Sequence, residues 1–592
     1  MKKKHAKLIS IFMCFVLVLF AFGCQSNTES AFKAGKYTGI GKGIHGDIKV
    51  EVEVDDTKIL SVKVLEHSET PGVSDPAIAK VPQEIVDGQT VAVDIVSGAT
   101  YTSNGIIEGT KAALTEAGGD MEKLSQKKED TTERKTEELT TDVVVIGAGG
   151  AGLAAATSAN QNGAKVIVLE KMGKAGGNTA ISGAAFNAVD TELQKEFGIE
   201  DSIDKHFQQT YEGGDKLADP ELVEILVNNA LPAIKWLESL GMEFEHKIFT
   251  VLGGMWPRAH DPEKVLGTGF IDTHMEYAEK SNGGVEVKIN TNATELIKEG
   301  DRIVGVKAEG EDTDYVIKAT KGVVIATGGF SQNKEMRDKY NKQWEDISNL
   351  MSTNHPGATG DGIIMAEKAG ANLVGMEWIQ LLPMGDPETG SLSGNIEQGV
   401  EDRIFINLDG NRFVDEGARR DVMTKALLEQ KDQTMWTILD SHSYPTGDEE
   451  NHFGETANEL VKAGRAFKAD TLEELAEMIG VDADSLVKAV EGFNKGVDEG
   501  KDEFGRTLFK DKIDKGPYYA GKRVPTVHHT MGGIQINTKA QAINAEGNVI
   551  PGLYAAGEVT GGIHGSNRLG GNALADINVF GKIAGESAAK GL

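Results

Sequence analysis

Three glycines and one glutamate, placed between two predicted strands, have the types and spacing of a dinucleotide-binding site. The apolar run at residues 142–146 is typical of a buried strand, and Gly147, Gly149 and Gly152 follow it directly before a helical pattern. Gly147 permits a tight turn, Gly149 lets the backbone approach a pyrophosphate, and Gly152 allows close packing of helix on strand. The start of that helix offers free N–H groups to phosphates. Glu170 ends the next strand, where its carboxylate can accept hydrogen bonds from an adenosine ribose.

Further glycine-rich turns favour FAD over NAD. Residues 171–179 continue from the second strand as a glycine-rich loop, and residues 323–329 form a later strand that ends in glycines. Residues 552–558 repeat this strand-to-glycine pattern near the C-terminus, with Glu558 at their end. A second nucleotide-proximal turn so far along the chain suits the long FAD molecule, and we expect Glu558 near its ribityl or pyrophosphate portion. FAD is therefore the predicted cofactor.

The composition indicates a globular α/β protein of several compact units. The chain has 592 residues, including 72 glycines and 14 prolines. Its 61 Lys plus Arg residues against 91 Asp plus Glu residues give a formal charge of −30. Because such an acidic surface repels phosphate backbones, we expect no nucleic-acid partner. A buried site can still be locally basic.

The two cysteines, Cys14 and Cys24, both lie close to the N-terminus. The rest of the sequence therefore contains no disulfide, no thiolate metal site and no Cys-x-x-Cys-His haem attachment. We expect any redox chemistry to use bound organic cofactors and no metal.

The N-terminus resembles a bacterial lipoprotein signal. Four lysines precede an apolar run at residues 8–22, and Gly23 comes directly before Cys24. A transmembrane helix is the alternative, but about 15 apolar residues are short for a span of roughly 20. The resemblance implies a signal peptide at residues 1–23 and a lipidated Cys24, which would anchor the protein to the extracytoplasmic face of the cell membrane.

Beyond the signal, changes in pattern divide the chain into regions. The predicted regions are a small α+β domain (31–118), a solvated linker rich in Lys, Glu, Asp and Thr (119–139), a first part of the cofactor domain (140–374), an inserted lobe (375–524) and a second part of the cofactor domain (525–592). In the small domain, alternating apolar residues predict paired strands at 47–54 and 59–64, and residues 105–117 read as a helix.

Residues 140–592 resemble the flavoprotein subunit of soluble fumarate reductases and the related urocanate and other enoate reductases. Besides the dinucleotide fingerprint, the matching strings are residues 412–416, Arg420-Asp421, 527–533 and 557–573. The resemblance implies an α/β fold in which a Rossmann-type FAD-binding domain carries an inserted α+β capping domain. It also implies hydride transfer from FAD to the C=C bond of a small α,β-unsaturated carboxylate. The candidate cofactor-binding residues are Gly147, Gly149, Gly150, Ala151, Gly152, Glu170, Lys171, Gly176, Gly177, Asn178, Thr179, Ser182, Gly183, Ala326, Thr327, Gly328, Asp361, Gly557, Glu558, Arg568, Ala573 and Leu574.

The same resemblance implies roles for three charged or imidazole side chains. Arg420 aligns with the arginine that delivers a proton to the substrate, while His529 and Arg568 hold one carboxylate. Because the pKa of arginine exceeds about 12 in water, Arg420 needs a relay that returns its proton. Glu397 and Arg403 are the candidates for that relay. The alternative for each of these residues is a structural salt bridge.

One position departs from the fumarate reductases. They carry a Gln-x-His-Pro segment whose histidine binds the far carboxylate of fumarate, whereas Leu382 stands at that position here. Leaving a carboxylate unpaired beside leucine in a closed site costs on the order of several kcal/mol. Urocanate, whose far end is an imidazole, fits better if Glu397 pairs with the ring N–H, and aryl or alkyl acrylates also suit the apolar wall of Leu381 and Leu382. Whether Glu397 binds substrate or relays protons stays open.

Residues 94–100, Asp-Ile-Val-Ser-Gly-Ala-Thr, resemble the flavinylation motif of FMN-binding domains. The resemblance implies that a flavin transferase joins FMN through its phosphate to Thr100; the alternative is a glycine-containing turn. FMN would then replace haem as the entry point for electrons from a membrane or extracellular donor. The linker would let this small domain move toward the FAD lobe.

Three functions compete on this sequence. The favoured one is a respiratory enoate reductase acting on urocanate, or alternatively on fumarate or another acrylate. An FAD dehydrogenase that oxidises, for example, a steroid ketone would lack the set of Arg420, His529 and Arg568, which this chain retains. A non-catalytic lipoprotein that carries flavin for electron transfer is disfavoured by the same arginines and by the complete dinucleotide fingerprint.

Overall fold

A computed structural model describes residues 31–43, 46–67, 69, 74–93, 95–96, 99–126, 134–451 and 453–592. The chain forms two compact units, Met1–Thr131 and Thr132–Leu592. The lipoprotein signal and Cys24 lie outside the described residues. In the described ranges, none of the helices combines the length and the apolar character that a membrane span requires.

The smaller unit is a three-stranded antiparallel sheet with helices on one face. Its elements are β1 (Gly35–Lys42), β2 (Asp47–Val54), β3 (Ile59–Glu66), α1 (Asp75–Gly88), α2 (Thr100–Glu116) and α3 (Met121–Leu124), with the strands in the order β1-β2-β3. Ile48, Val50, Val52 and Val54 alternate along β2 and are all buried, which confirms the predicted hairpin of β2 and β3. Glycine lets β1 lie close against α2, since a Cβ at Gly39 would lie 1.9 Å from a carbonyl oxygen of α2.

Helix α2 differs from the prediction at its N-terminus. It begins at Thr100, five residues before the predicted start at Gly105. The threonine- and serine-rich first turn hid this start, because such residues favour turns and caps over helix interiors. The motif threonine is therefore the first residue of a helix. Asp94, Ser97 and Gly98 of the motif lie outside the described residues.

The larger unit contains all the remaining elements. Its strands are β4 (Lys135–Ile146), β5 (Val166–Leu169), β6 (Phe186–Asn187), β7 (Ala259–His260), β8 (Val285–Lys288), β9 (Asn292–Glu299), β10 (Arg302–Glu309), β11 (Thr313–Ile325), β12 (Leu373–Val374), β13 (Ile379–Gly385), β14 (Ile404–Ile406), β15 (Met435–Asp440), β16 (Ala466–Ala469), β17 (Tyr518–Thr530), β18 (Gly533–Gln535), β19 (Gln541–Ile543), β20 (Val549–Ala555) and β21 (Thr560–Gly561). Its helices are α4 (Gly150–Gln161), α5 (Gly177–Ala180), α6 (Thr191–Glu196), α7 (Ile203–Gly213), α8 (Pro220–Ser239), α9 (Thr268–Lys280), α10 (Lys334–Tyr340), α11 (Asp361–Ala369), α12 (Arg420–Leu428), α13 (Ala457–Lys462), α14 (Leu472–Ile479), α15 (Ala483–Glu499) and α16 (Asn572–Lys590), with one 3₁₀ turn at Lys431–Gln433.

A parallel sheet forms the centre of this unit. Its strands β8, β5, β4, β11 and β20 run side by side and parallel, and β19 closes one edge antiparallel to β20. Val143, Val144 and Val145 in β4 are fully buried, as expected for a strand covered on both faces. Helix α16 packs on α4 so closely that a Cβ at Gly585 would lie 2.1 Å from the carbonyl oxygen of Ala155. Such an arrangement is typical of a Rossmann-type nucleotide-binding domain.

A second sheet lies in the inserted part of the chain. Its strands follow the order β13-β17-β15-β14, with β16 also paired to β17, and every pairing is antiparallel. The predicted end of the inserted lobe at Val524 falls inside strand β17, which continues without a break to Thr530. The change in sequence pattern near this position therefore does not coincide with the end of an element, and Pro525 is accommodated within the strand. The two lobes therefore share one continuous strand, and its end carries His528 and His529.

The segment predicted as a linker, residues 119–139, contains regular structure at both ends. Helix α3 lies at Met121–Leu124, and β4 begins at Lys135, within residues 119–139. The first half of β4 is exposed and charged, so its sequence resembles a solvated segment. It is nevertheless a strand because it pairs in parallel with β11 from Lys135 onward.

Candidate active site

A glycine-rich turn opens the main cleft of the larger unit. Strand β4 ends at Ile146 and helix α4 begins at Gly150. Gly147 has a φ of 102°, and a Cβ there would lie 2.4 Å from the carbonyl oxygen of Ala326. A Cβ at Gly149 would meet nothing closer than an oxygen at 3.8 Å. The backbone at Gly149 therefore borders open space, as the approach of a pyrophosphate requires.

Two carboxylates lie beside this turn. Glu170 directly follows β5, and its oxygens accept hydrogen bonds from the backbone N–H groups of Ala148 (2.8 Å) and Met172 (2.9 Å). Burial raises the pKa of Glu170. Lys171 Nζ lies 2.5 Å from Asp361 Oδ2, so these two predicted cofactor residues form an ion pair at the rim of the cleft.

Glu558 lies deeper in the same cleft. Its Oε1 accepts a hydrogen bond from the backbone N–H of Thr530 at 3.0 Å, and its Oε2 accepts one from Asn178 Nδ2 at 3.2 Å. Burial raises the pKa of this carboxyl group. Thr530 closes strand β17, so Glu558 connects the predicted cofactor loop with the strand that carries the histidines.

Most of the predicted cofactor residues line this cleft. They are Gly147, Gly149, Gly150, Ala151, Glu170, Lys171, Gly177, Asn178, Thr179, Ser182, Gly183, Ala326, Thr327, Gly328, Asp361, Glu558, Arg568, Ala573 and Leu574. Gly152, Gly176 and Gly557 lie in the turns behind it: Gly152 faces the carbonyl oxygen of Gly147, Gly176 donates its N–H to Ala148, and Gly557 packs on Ala151.

The lining of the cleft fits a dinucleotide flavin. The buried hydroxyl of Thr327 finds no hydrogen-bond partner among the described residues, although it lines the cleft. A Cβ at Gly328 would meet nothing within 4 Å. The unpaired polar atom and the open backbone face therefore leave room for a bound group that offers hydrogen bonds. Long cofactors of this kind are bound at the carboxyl ends of parallel strands.

Arg420 enters the cleft from the first turn of α12. It is 6% exposed, and its Nε donates a hydrogen bond to the carbonyl oxygen of Leu252 at 2.9 Å. Its Nη1 donates to Gln380 Oε1 at 3.3 Å. Burial, followed by the charge of Arg568, lowers the pKa of Arg420 well below its usual value. A lowered pKa makes the guanidinium a stronger acid than it would be in water.

Arg568 shares the same acceptor. Its Nη2 donates to Gln380 Oε1 at 3.1 Å, and burial lowers its pKa to about 10. Gln380 Nε2 donates to Asn567 Oδ1 at 2.9 Å and to the carbonyl oxygen of Arg568 at 2.7 Å. The amide of Gln380 thus fixes both arginines at once. No role was predicted for Gln380 from the sequence, because residues 380–383 were considered only for the histidine that Leu382 replaces.

His529 lies next to this arginine pair. It is buried, its ring centroid lies 5.6 Å from that of His564, and His564 Nε2 is 3.1 Å from Asp576 Oδ2. Burial, followed by the charge of Arg568, lowers the pKa of His529 well below its usual value. A neutral imidazole at this place can donate one hydrogen bond and accept another.

Several lining residues escaped the sequence analysis. His528 also lines the cleft, and Thr353 Oγ1 lies 2.8 Å from its Nδ1. The adjacent imidazoles of residues 528 and 529 were visible as a His-His pair, which was the available signal. The loop of Phe249–Leu252 carried no such signal, because its residues are ordinary apolar or hydroxyl side chains.

The two relay candidates form a close ion pair. Arg403 Nη1 donates to Glu397 Oε2 at 2.6 Å, and both residues line the cleft. The negative charge of Glu397 also acts on Arg420 and opposes the lowering of its pKa. The two residues thus form an ion pair, and the charge of Glu397 lies within electrostatic reach of Arg420.

An apolar wall faces these charges. Leu382 is 2% exposed, and it lines the cleft together with Met384, Leu392 and Phe453. These side chains carry no charge and no hydrogen-bond donor that could bind an anionic group. The cleft therefore has one strongly cationic region and one apolar region.

The cationic region has an excess of positive charge. Among the described residues, neither Arg420 nor Arg568 makes an ion pair or hydrogen bond with a carboxylate; each donates to uncharged oxygens instead. Arg568 Nε is buried without a partner in the same part of the chain. Two buried guanidinium groups arranged in this way can bind one carboxylate by charge-assisted hydrogen bonds.

Comparisons with known proteins define the class of this protein. A model of the FAD binding domain matches residues 142–574, and a model of the FMN-binding domain matches residues 43–115. The chain is an FAD-dependent oxidoreductase that also carries an FMN-binding domain.

Individual relatives then define the family. The chain is 38% identical to the urocanate reductase of Eggerthella lenta, over 96% of this chain and 95% of that protein. It is 38% identical to the NADH:acrylate oxidoreductase of Vibrio harveyi over 95% of this chain, but it spans only 62% of that longer protein. The open conformation of a flavocytochrome c3 fumarate reductase superposes with a TM-score of 0.62 and 37% identity, over 76% of this chain and 78% of the other. The chain belongs to the flavocytochrome fumarate reductase family, whose members include urocanate, fumarate and acrylate reductases.

Proposed function

We propose that this protein reduces the C=C bond of a small α,β-unsaturated carboxylate, and that urocanate is its substrate. The observation that carries the proposal is the buried pair of Arg420 and Arg568, both held by Gln380 Oε1 and neither in direct contact with a carboxylate in the described part of the chain. Burying two cations that contact no carboxylate directly is costly, and a substrate carboxylate can provide that contact. Family membership and the cleft around these arginines support the same reaction.

The polar residues of the cleft have separate roles in this proposal. Arg568 and His529 bind the substrate carboxylate and stabilise the charge that develops on it. FAD, when bound by the glycine turn, Glu170, Asn178 and Glu558, supplies the hydride that adds to one alkene carbon. Arg420 delivers the proton to the other carbon, for which its lowered pKa prepares it.

The proton of Arg420 has to be replaced after each turnover. Glu397 and Arg403 can return it. Arg403 donates a hydrogen bond to the carboxylate of Glu397 at 2.6 Å, and the charge of that carboxylate acts on Arg420. The other role of Glu397 is to pair with the far end of the substrate. A carboxylate that forms an ion pair can also accept hydrogen bonds, so the contact with Arg403 does not exclude pairing with substrate.

The apolar wall supports urocanate over fumarate. A second carboxylate would lie against Leu382 and Met384, which offer it no hydrogen bond. An imidazole ring can pack on these side chains and direct its N–H toward a polar group such as Glu397. The urocanate reductase of Eggerthella lenta matches this chain over nearly its whole length, which adds support. Acrylate, the substrate named for the Vibrio harveyi relative, is the alternative that the apolar wall also admits.

The smaller unit would feed electrons to this site through FMN bound to Thr100. Helix α2 begins at Thr100 and has no acidic residue in its first turn. A helix N-terminus attracts a phosphate group, so the phosphate of an FMN attached there would be stabilised. We propose that a flavin transferase attaches FMN at this residue and that a membrane or extracellular donor reduces it.

Lipidation of Cys24 would hold the enzyme at the extracytoplasmic face of the membrane, close to such a donor. Replacing Cys24 with alanine is expected to move the protein from the membrane fraction to the soluble fraction. A C24A variant that remains membrane-bound would contradict the anchor.

The reaction is tested with flavin-replete protein and a reduced viologen dye as donor. Urocanate, fumarate, cinnamate, acrylate and methacrylate are supplied in parallel, and urocanate is expected to give the highest kcat/KM. Arg420→Gln is expected to lower kcat by roughly 10²- to 10⁴-fold, the range for a lost proton donor. Lys425→Gln, on the exposed side of the same helix, is the control. Turnover of none of these acids would favour the electron-carrier function, and full activity of R420Q would refute the proposed mechanism.

A further inference from the structure

The side-chain amide of Asn395 is buried in the wall of the cleft without a hydrogen-bond partner for its oxygen. Asn395 is 1% exposed and lines the same cleft as Leu382, Glu397 and Arg420. Its Oδ1 accepts no hydrogen bond from any residue that the structure describes. A buried, unpaired amide oxygen is unusual in a folded protein and requires an explanation.

The backbone on either side of this amide is held from outside the cleft. Asn451 Nδ2 donates to the carbonyl oxygen of Asn395 at 2.7 Å, and the N–H of Gly394 donates to the carboxylate of Glu455 at 2.7 and 2.9 Å. The segment belongs to no helix or strand, so these contacts fix its path. Because its backbone is fixed, Asn395 cannot readily turn its amide toward solvent to satisfy the oxygen.

The surroundings of the amide indicate what could satisfy it. Leu382 and Met384 contribute apolar surface to the same cleft, and Arg420 marks the cationic region that takes the carboxylate. A partner for Asn395 Oδ1 must therefore donate a hydrogen bond and belong to the uncharged end of the substrate. A ring N–H meets both conditions, whereas a phenyl ring or an alkyl group is uncharged but donates no hydrogen bond.

We propose that Asn395 is a specificity-determining residue, whose side-chain oxygen accepts a hydrogen bond from an N–H group at the far end of the substrate. This inference rests on the proposed function and deepens it, because it restricts the substrate class to unsaturated acids that end in a nitrogen heterocycle. A site built to receive a hydrogen bond rejects a ligand that lacks the donor, since its polar group is then left unpaired. Asn395 thereby separates urocanate from cinnamate, which has a ring but no ring N–H.

The test compares urocanate and cinnamate in flavin-replete wild type, Asn395→Ala and Asn395→Leu. N395A is expected to lower kcat/KM for urocanate by about 10- to 100-fold, mainly through KM, and to change that for cinnamate by less than about twofold. N395L, which keeps the branched shape of the side chain but replaces the amide by two methyl groups, is expected to lower urocanate turnover similarly and to raise that of cinnamate. Asn228→Ala, on an exposed face of α8, is the control.

Equal losses on both acids in N395A would overturn the inference, because they would indicate a structural role for the amide. Unchanged urocanate kinetics would also overturn it. Binding of urocanate to the oxidised holoenzyme, measured by calorimetry, separates this inference from the proposed reaction. If wild type binds urocanate but reduces no unsaturated acid, the reaction is wrong. The ratio of the dissociation constants of N395A and wild type still decides the role of Asn395.

Discussion

Arg419 and Asp215 form a two-point ion pair, with Nη1–Oδ1 and Nη2–Oδ2 distances of 2.7 and 3.0 Å. Arg419 directly precedes Arg420, and Ser566, two residues before Arg568, donates a hydrogen bond to the same carboxylate of Asp215. One carboxylate therefore connects the chain neighbours of both arginines in the cleft. Asp215 has a φ of 56°, a left-handed conformation that is uncommon for aspartate.

Replacing Asp215 with asparagine is expected to lower kcat/KM by about 3- to 10-fold while flavin content stays the same. The carboxylate is partly exposed, so the pair contributes on the order of 1 kcal/mol, which is felt through the placement of Arg420. Hydrogen bonds from Arg419 lower the pKa of Asp215. The pair is therefore complete at pH values above the ordinary aspartate pKa and is lost as the pH falls through the lowered value.

Steady-state kinetics of D215N with urocanate provide the measurement. Glu276→Gln removes a comparable surface ion pair, with Lys280, far from these residues and is expected to leave the kinetics unchanged. Wild-type kinetics in D215N would mean that the pair does not position Arg420. A loss of bound FAD would mean that the pair supports the fold instead.

Local patterns were sufficient to predict the cofactor domain. The run of strand, glycines and helix at residues 142–152, followed by Glu170, has one common structural meaning, and the structure places it at the carboxyl edge of a parallel sheet. The hairpin of β2 and β3 was equally predictable, because apolar and polar residues alternate along β2 with a period of two. These features depend on neighbours in sequence.

Features that depend on distant parts of the chain were not predictable. Gln380 and Asn395 are uncharged amides, and nothing local to them reveals that one holds two arginines and the other lacks a partner. The boundary predicted at Val524 falls within β17, whose continuity from Tyr518 to Thr530 depends on pairing with strands distant in sequence. The sequence also did not reveal the contact of Glu397 with Arg403, and it could not decide whether Glu397 pairs with the substrate or relays protons.

Leu382→His is expected to shift the preference from urocanate toward fumarate. A histidine at this buried place could donate a hydrogen bond to a second carboxylate, which leucine cannot do. The ratio of kcat/KM for fumarate to that for urocanate should rise by at least about 10-fold, corresponding to roughly 1.4 kcal/mol. Leu382→Met keeps the wall apolar and should keep the ratio near its wild-type value. An unchanged ratio in L382H would show that another residue excludes the far carboxylate.

Thr100→Ala is expected to abolish covalent attachment of FMN. The hydroxyl of Thr100 is the only group of that residue that could form a phosphoester, and it belongs to the motif that resembles a flavinylation site, whereas the hydroxyls of Thr102 and Ser103 in the same turn do not. Intact-mass measurement of protein made together with its flavin transferase should show the mass of FMN less one water in wild type and in Thr115→Ala, and not in T100A. An FMN adduct that persists in T100A would place the attachment elsewhere. Turnover with a viologen dye that reduces FAD directly should survive the change.

The acid side of the stability profile is expected to depend on buried histidines, and His274 is the clearest case. His274 is 1% exposed, its Nδ1 lies 2.9 Å from Thr157 Oγ1, and burial lowers its pKa to about 4. An unfolded chain binds a proton at this residue below a pH of about 6.5, whereas the native protein does so only near its lower pKa. Stability is therefore lost as the pH falls from about 6.5 to 4, by roughly 3 kcal/mol for this residue.

His274→Gln should flatten the decline of the apparent unfolding temperature over that range, whatever its effect at neutral pH. His246→Gln, at an exposed histidine that contacts Glu196, should leave the slope as it is in wild type. Identical slopes in wild type and H274Q would show that His274 takes up its proton in the native state as readily as in the unfolded chain.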